Sequence, residues 1–163
     1  MRALAALATL ATLGACGGSD GDWTTRAVKP VSASFNGKAF TIDLPEGMRQ
    51  KTDKYEVRWD FLEGEYAKTP EISVSDGAAW KSVEDYAKAS PRITTYLRKE
   101  NFPDGFIVAH ENDSYPGKED YLVYAFKGGW GCSARVTPWK RGDAVKDKLP
   151  LVEKMCLSIK SAK

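Results

Sequence analysis

The chain has 163 residues, of which 42% are hydrophobic and 28% are charged, and its formal net charge at pH 7 is +2. This length and composition predict that most of the chain forms a single globular domain with a core of its own. Basic and acidic residues are interleaved throughout, so the chain lacks the basic stripe that nucleic-acid binding requires, and no nucleic-acid partner is expected.

The first fifteen residues predict an export signal. Arg2 supplies a positive charge, Ala3–Thr12 form a short apolar stretch, and Leu13-Gly14-Ala15-Cys16 matches the lipobox of bacterial lipoproteins. The apolar stretch is shorter than the roughly 20 residues that span a bilayer, and it has the length of the apolar region of a signal peptide. The alternative is an ordinary secretory signal cleaved near Ala15, in which Cys16 has no special role.

The lipobox predicts a membrane anchor. The mature chain would begin at Cys16 and be acylated there, and bacterial lipoproteins that resemble it carry three acyl chains, which anchor a protein stably. Gly17 follows this cysteine, whereas an Asp there favours retention in the inner membrane in similar signals. We therefore expect a lipid-anchored protein of the bacterial cell envelope, at the outer membrane on its periplasmic side or surface. The predicted organisation is a signal over 1–15, a lipidated cysteine and flexible tether over 16–30, and one domain over 31–163.

The first half of the domain has the alternating pattern of β-strands. Apolar residues alternate on both sides of Asn36-Gly37 between Val31 and Pro45, which predicts a hairpin, because Asn-Gly suits the type I′ turn. Tyr55–Phe61 alternates in the same way and predicts a half-buried strand. A short strand is predicted at Ile72–Val74, after Pro70.

The second half mixes helices and strands. Ser82 is the predicted N-cap of a helix that runs to Ala89, before Pro91. Residues Ile93–Glu100 fit either a second short helix or an extended connection. The remaining predicted elements, in chain order, are a strand at Phe106–His110, a hairpin of Tyr121–Lys127 and Trp130–Thr137 around Gly128-Gly129, and a final helix within Asp143–Ile159 that begins at Asp143 or near Pro150.

Two cysteines, Cys132 and Cys156, remain beyond the lipobox. An even pair in an exported chain suggests a disulfide. Cys132 shares a strand face with Ala134 and Val136, and Cys156 lies on the apolar stripe of the final helix. A disulfide between them would therefore join the helix to the sheet. Two buried free thiols or a metal site are the alternatives, although two sulfurs and one distant histidine make a poor zinc site. No metal or cofactor is expected.

Three segments carry a family resemblance. SFNGKAFTIDLPEGM, SVEDYAKAS and LPLVEKMCLSIK resemble the opening hairpin, first helix and closing helix of the PsbP-like fold of DcrB-type bacterial lipoproteins, over about residues 31–160. The resemblance implies an α+β domain in which an antiparallel sheet is flanked by helices as an α/β/α sandwich. It implies no activity, because the family has no shared catalytic residues and includes photosystem accessory proteins, periplasmic lipoproteins and immunity proteins.

Two hypotheses for function follow. The first is a non-enzymatic lipoprotein that binds an unknown protein partner through its sheet or loops, with the aromatic residues Trp130, Trp139 and Tyr115 as candidate contacts. A narrower version is an immunity protein against a secreted effector. The alternative is that these aromatic side chains are core residues packed beneath loops.

The second hypothesis is an enzyme or small-ligand carrier with a site around His110, the only histidine, and the acidic stretch Glu111–Asp120. A histidine at a strand end and a solvated acidic loop are the ordinary interpretations of these residues. We therefore predict no catalytic residue.

Overall fold

The computed structural model describes residues 22–63, 66–77, 79–112, 114, 118–138 and 143–162. In this part of the chain, strands and helices form a mixed α+β domain. The strands are β1 (Val28–Phe35), β2 (Lys38–Pro45), β3 (Arg49–Thr52), β4 (Val57–Glu63), β5 (Tyr66–Asp76), β6 (Tyr96–Phe102), β7 (Gly105–Glu111), β8 (Tyr121–Lys127), β9 (Trp130–Val136) and β10 (Lys160–Ser161). The helices are α1 (Val83–Ala89) and α2 (Val145–Leu157), and a 3-10 helix occupies Trp23–Thr25.

The strands form two sheets. The large sheet has the order β3-β4-β5-β9-β8-β7-β6, and the small sheet has the order β1-β2-β10. All the pairings between the described strands are antiparallel. The large sheet therefore has an upper end, where β4, β7 and β9 finish and β5, β6 and β8 begin, and a lower end with the opposite strand termini.

The two helices pack on opposite faces of the large sheet. Successive side chains of a strand point to opposite faces, and β7 shows the division: Phe106 and Val108 pack with α1, whereas Ile107 and Ala109 belong to the main core. Helix α2 and the small sheet cover that second face, which we call the inner face. The face under α1 is the outer face.

The predicted disulfide between Cys132 and Cys156 is present in the structure. Both cysteines are fully buried. The bond joins the middle of β9 to the last turn of α2, and it therefore fixes the helix to the inner face.

Several predicted elements are confirmed. Asn36 and Gly37 have φ angles of 50° and 75°, as a type I′ turn requires, and β1 pairs with β2 across them. The Ser82 side chain accepts a hydrogen bond from the amide of Asp85 at the start of α1. The hairpin around Gly128-Gly129 pairs β8 with β9.

Ordered structure begins earlier than the sequence analysis predicts. Strand β1 starts at Val28 rather than Val31, and the side chain of Trp23, inside the predicted tether, is 1% exposed in the main core. Asp22 caps the 3-10 helix and forms an ion pair with Lys148 of α2. The domain therefore includes residues from Asp22 onward, because the indole of Trp23 occupies a buried site that the polar sequence around it does not suggest.

Other boundaries also differ from the predictions. The segment Ile93–Glu100, predicted as either a helix or an extended connection, contributes to strand β6. Strand β5 begins before Pro70, whose peptide bond with Thr69 is cis. The short strand β3 was not predicted. Helix α2 has Ala144, not Asp143, at its N-cap position, and Pro150 lies inside the helix. Asp143 instead pairs with Lys148.

No helix among the described residues combines the length and the apolar character needed to cross a membrane.

Candidate functional surface

The three aromatic candidates do not form one patch. Trp130 lies at the lower end of the large sheet, where it is buried, contacts Phe40 and donates a hydrogen bond from Nε1 to Oγ of Ser161 over 3.0 Å. This position corrects the prediction that its indole is available to a partner. Tyr115 and Trp139 lie outside the described residues. Strand β7 ends before Tyr115, β8 begins after it, and β9 ends before Trp139. These three strand ends lie at the upper end of the sheet.

His110 lies on the outer face and is 3% exposed. Its Nδ1 is 2.6 Å from the carbonyl oxygen of Glu111, and its Nε2 is 2.9 Å from the hydroxyl oxygen of Tyr86 in α1. Because a carbonyl oxygen only accepts hydrogen bonds, Nδ1 donates, and in that tautomer Nε2 accepts from the tyrosine hydroxyl. Both ring nitrogens are therefore engaged inside the fold.

An aromatic cluster surrounds this histidine beneath α1. Trp80 contacts both Tyr86 and Tyr124, while Tyr96 contacts the imidazole from the edge strand β6. Burial raises the pKa of Tyr124, an effect partly offset by a hydrogen bond with the backbone of Ala79. The cluster thus holds neutral, packed rings in the part of the outer face that α1 covers.

The acidic residues next to this histidine do not form a cation site in the described part of the chain. Asp120 is buried and binds Arg135 and Asn112, whereas Asp113 lies outside the described residues. Within the described ranges, no three His, Cys, Asp or Glu side chains are grouped closely enough to hold a metal ion.

A polar surface lies on the other half of the outer face, over β4, β5, β9 and β8. The strand registers place its residues in two adjacent rows. We call this surface the open face and define it by Arg58, Glu71, Leu122, Ser133 and Arg135, which lie around the buried Ser73. Both arginines and Ser133 are accessible, and Arg135 has a side-chain exposure of 45%.

Carboxylates hold both arginines in place. Arg135 makes a two-pronged contact with Asp120, with Nε–Oδ1 and Nη2–Oδ2 distances of 3.1 and 2.6 Å. Arg58 donates from Nε and Nη2 to Glu56, and its Nη1 is 3.7 Å from Glu71. The hydrogen bond with Glu56 raises the pKa of Arg58, against the effect of burial. The two-pronged contact with Asp120 fixes the plane of the Arg135 guanidinium group.

This surface is not apparent from the sequence alone. Arg58 and Arg135 occupy the polar positions of alternating strands, where a charged residue is ordinary. No local signal distinguishes the two arginines, which are the second residue of β4 and the penultimate residue of β9. The sequence did not show that the two strands lie on either side of β5.

No protein-family model and no curated protein matches this chain. The fold and the surface define it as an α+β domain with one helix-covered and one open half on the outer face of its large sheet.

Replacing His110 with alanine is expected to lower the free energy of unfolding by about 1–3 kcal/mol, because it leaves a cavity and removes the hydrogen bond between the imidazole and the Tyr86 hydroxyl. Denaturant unfolding measures this change. Tyr86→Phe is the matched control and should cost about 1 kcal/mol, since it removes the same hydrogen bond without leaving the cavity of a missing ring. If H110A left stability unchanged but abolished binding of a ligand, the histidine would belong to a functional site.

Proposed function

We propose that this protein is a non-enzymatic bacterial lipoprotein, anchored at Cys16, whose domain binds a protein partner through the open face. The lipobox supports the anchor. The disulfide between Cys132 and Cys156 supports export, because disulfides persist in oxidising compartments such as the periplasm. The placement of α1 and α2 on opposite faces of an antiparallel sheet supports a PsbP-like α/β/α sandwich.

The open face carries the binding proposal. Arginine is enriched among the residues that contribute most to protein interfaces. A side chain that is already held in one geometry loses less conformational entropy when a partner binds, and Asp120 holds Arg135 in this way. Arg58 presents a second guanidinium two strands away, across Glu71. The surface therefore suits a partner that offers carboxylates or carbonyl oxygens.

The upper end of the sheet extends this surface. Arg135 is the penultimate residue of β9, and the connection that contains Trp139 follows that strand. We propose that Trp139 and Tyr115 also contact the partner. An immunity protein is the narrower form of the proposal, and an effector captured on the open face would identify it.

The enzymatic alternative is weaker because of His110. A general base must reach a substrate proton, whereas both nitrogens of this ring bond to groups of the fold and the side chain is buried. We therefore assign the histidine to the packing of α1.

The anchor predicts the behaviour of Cys16→Ser. Without a thiol to acylate, the protein should move from the membrane fraction to the soluble periplasmic fraction. Fractionation followed by immunoblotting measures this shift, and Cys132→Ser with Cys156→Ser is the control that should stay with membranes. A C16S protein that sediments with membranes would contradict the anchor.

Site-specific photocrosslinking tests the open face. A photoreactive amino acid in place of Ser133 should give one discrete crosslinked species in intact cells, and the same group in place of Lys88, exposed on α1, should not. Arg135→Gln should remove the species, because it deletes the charge while its amide can still donate to Asp120. Equal crosslinking from both positions, or a species that survives R135Q, would overturn the proposal.

A further inference from the structure

The tether between the lipid and the domain is shorter than the sequence analysis predicts. Trp23 is buried, and Asp22 pairs with Lys148 of α2 at 3.2 Å, so the fold holds the chain from Asp22 onward. Six peptide units separate Cys16 from Asp22, and a fully extended chain of that length spans at most about 20 Å. A domain of this size is roughly 35–40 Å across. An anchored domain therefore keeps the surface around Asp22 close to the membrane.

That surface contains an apolar groove. It has a volume of about 320 Å³ and lies between the outward side of β1 and α2, lined by Val28, Pro30, Asp43, Leu151, Lys154 and Met155. Three large hydrophobic side chains of the described residues are exposed: Val28 at 53%, Leu151 at 39% and Tyr55 at 67%. Two of the three thus line a single groove.

The groove lies beside the point where the chain enters the domain. Leu151 follows Lys148 by three residues, so the two lie on the same side of α2. Asp22, which binds that lysine, is consequently about one helical turn from the groove. Lys154 at the rim can direct its ammonium group to lipid phosphates while its methylene chain lies along the apolar surface.

We propose that this groove contacts the headgroup region of a phospholipid bilayer, with Val28 and Leu151 inserted at its boundary. The inference rests on the lipid anchor proposed above. The short tether favours orientations in which the surface around Asp22, with α2 and β1, faces the bilayer. The groove opens on the side of α2 and the small sheet that points away from the large sheet, so the open face on the far side remains accessible to a partner.

Photolabelling from lipid tests the contact. The full-length lipidated protein is reconstituted into vesicles of zwitterionic and anionic phospholipids that carry a photoreactive group at the headgroup boundary. Mass spectrometry should then locate the label at Val28 and Leu151, severalfold above the label at Tyr55. Tyr55 is the internal control, because it is the most exposed of the three and random collisions would label it most.

Two variants separate the possible outcomes. Val28→Ser with Leu151→Ser should lose most of the label without leaving the vesicles, while C16S protein should not associate with them. If the anchored protein is labelled equally at Tyr55, or crosslinks to a second copy through the groove, the lipid contact is wrong and the anchor stands. If lipid is absent from the purified full-length protein, the anchor itself is wrong.

Discussion

Replacing Trp23 with alanine is expected to lower the free energy of unfolding by about 3–5 kcal/mol, as for other buried large aromatic side chains. The indole belongs to the main core and lies beneath the Lys148 ammonium, 6.0 Å from the ring centroid. Its removal leaves a cavity next to α2 and weakens the attachment of residues 22–25 to the domain. Denaturant-induced unfolding monitored by circular dichroism measures the loss.

Tyr55→Ala is the control for Trp23→Ala. It removes another large aromatic side chain, but one that is 67% exposed, so the expected change lies within about 0.5 kcal/mol. If W23A were as mild as Y55A, the boundary of the domain would lie after Trp23, and the tether would have the length that the sequence analysis predicts.

Loss of the disulfide is expected to have a similarly large effect. The cysteines are 24 residues apart, and the chain-entropy model gives about 3–4 kcal/mol for closing a loop of that length. Cys132→Ala with Cys156→Ala should therefore unfold at a clearly lower denaturant concentration. The helix α2 should be affected most, because the bond holds its last turn against β9.

A reductant supplies the control for the disulfide prediction. It should lower the unfolding midpoint of the wild-type protein towards that of the double variant, and it should leave the midpoint of the variant unchanged. A wild-type midpoint that is insensitive to complete reduction would show that burial of the two sulfurs, rather than the covalent bond, stabilises this contact.

The sequence predicted the elements whose turns, caps and side-chain patterns are local and are kept in the folded domain. Asn36-Gly37 and Gly128-Gly129 specify their hairpins because the turns need positive φ angles, which these residues adopt readily. Ser82 specifies the start of α1 through its own side chain. The pairing of Cys132 with Cys156 followed from one strand face and one helix stripe.

Long-range contacts decided the elements that the sequence analysis missed. Trp23 stands among polar residues, and its burial depends on a pocket formed by distant parts of the chain. Tyr96–Phe102 form a strand because β7 pairs with them, with a register shift between Tyr96 and Arg98 that obscures the alternation. Pro150 lies inside α2, at a position where a proline removes a backbone hydrogen bond, so local propensity did not indicate that the helix continues through it.

The candidate surface was predictable only in part. The sequence suggested that a partner binds a sheet face or loops. It did not indicate Arg58 and Arg135, the residues that now best support the proposed binding surface. Their proximity depends on the strand order β4-β5-β9, in which a distant strand of the chain comes to lie beside β5. His110 attracted notice as the only histidine, yet its partner Tyr86 comes from α1, a contact that no local pattern shows.

Intact mass spectrometry of the membrane-extracted protein, with sequencing of its N-terminal peptide, tests the central claim most directly. The account predicts a mature chain that begins at Cys16 and carries three acyl chains, with Cys132 and Cys156 joined by a disulfide. An unacylated chain, or one that begins at another residue, would contradict the anchor and with it the proposed position of the domain at a membrane.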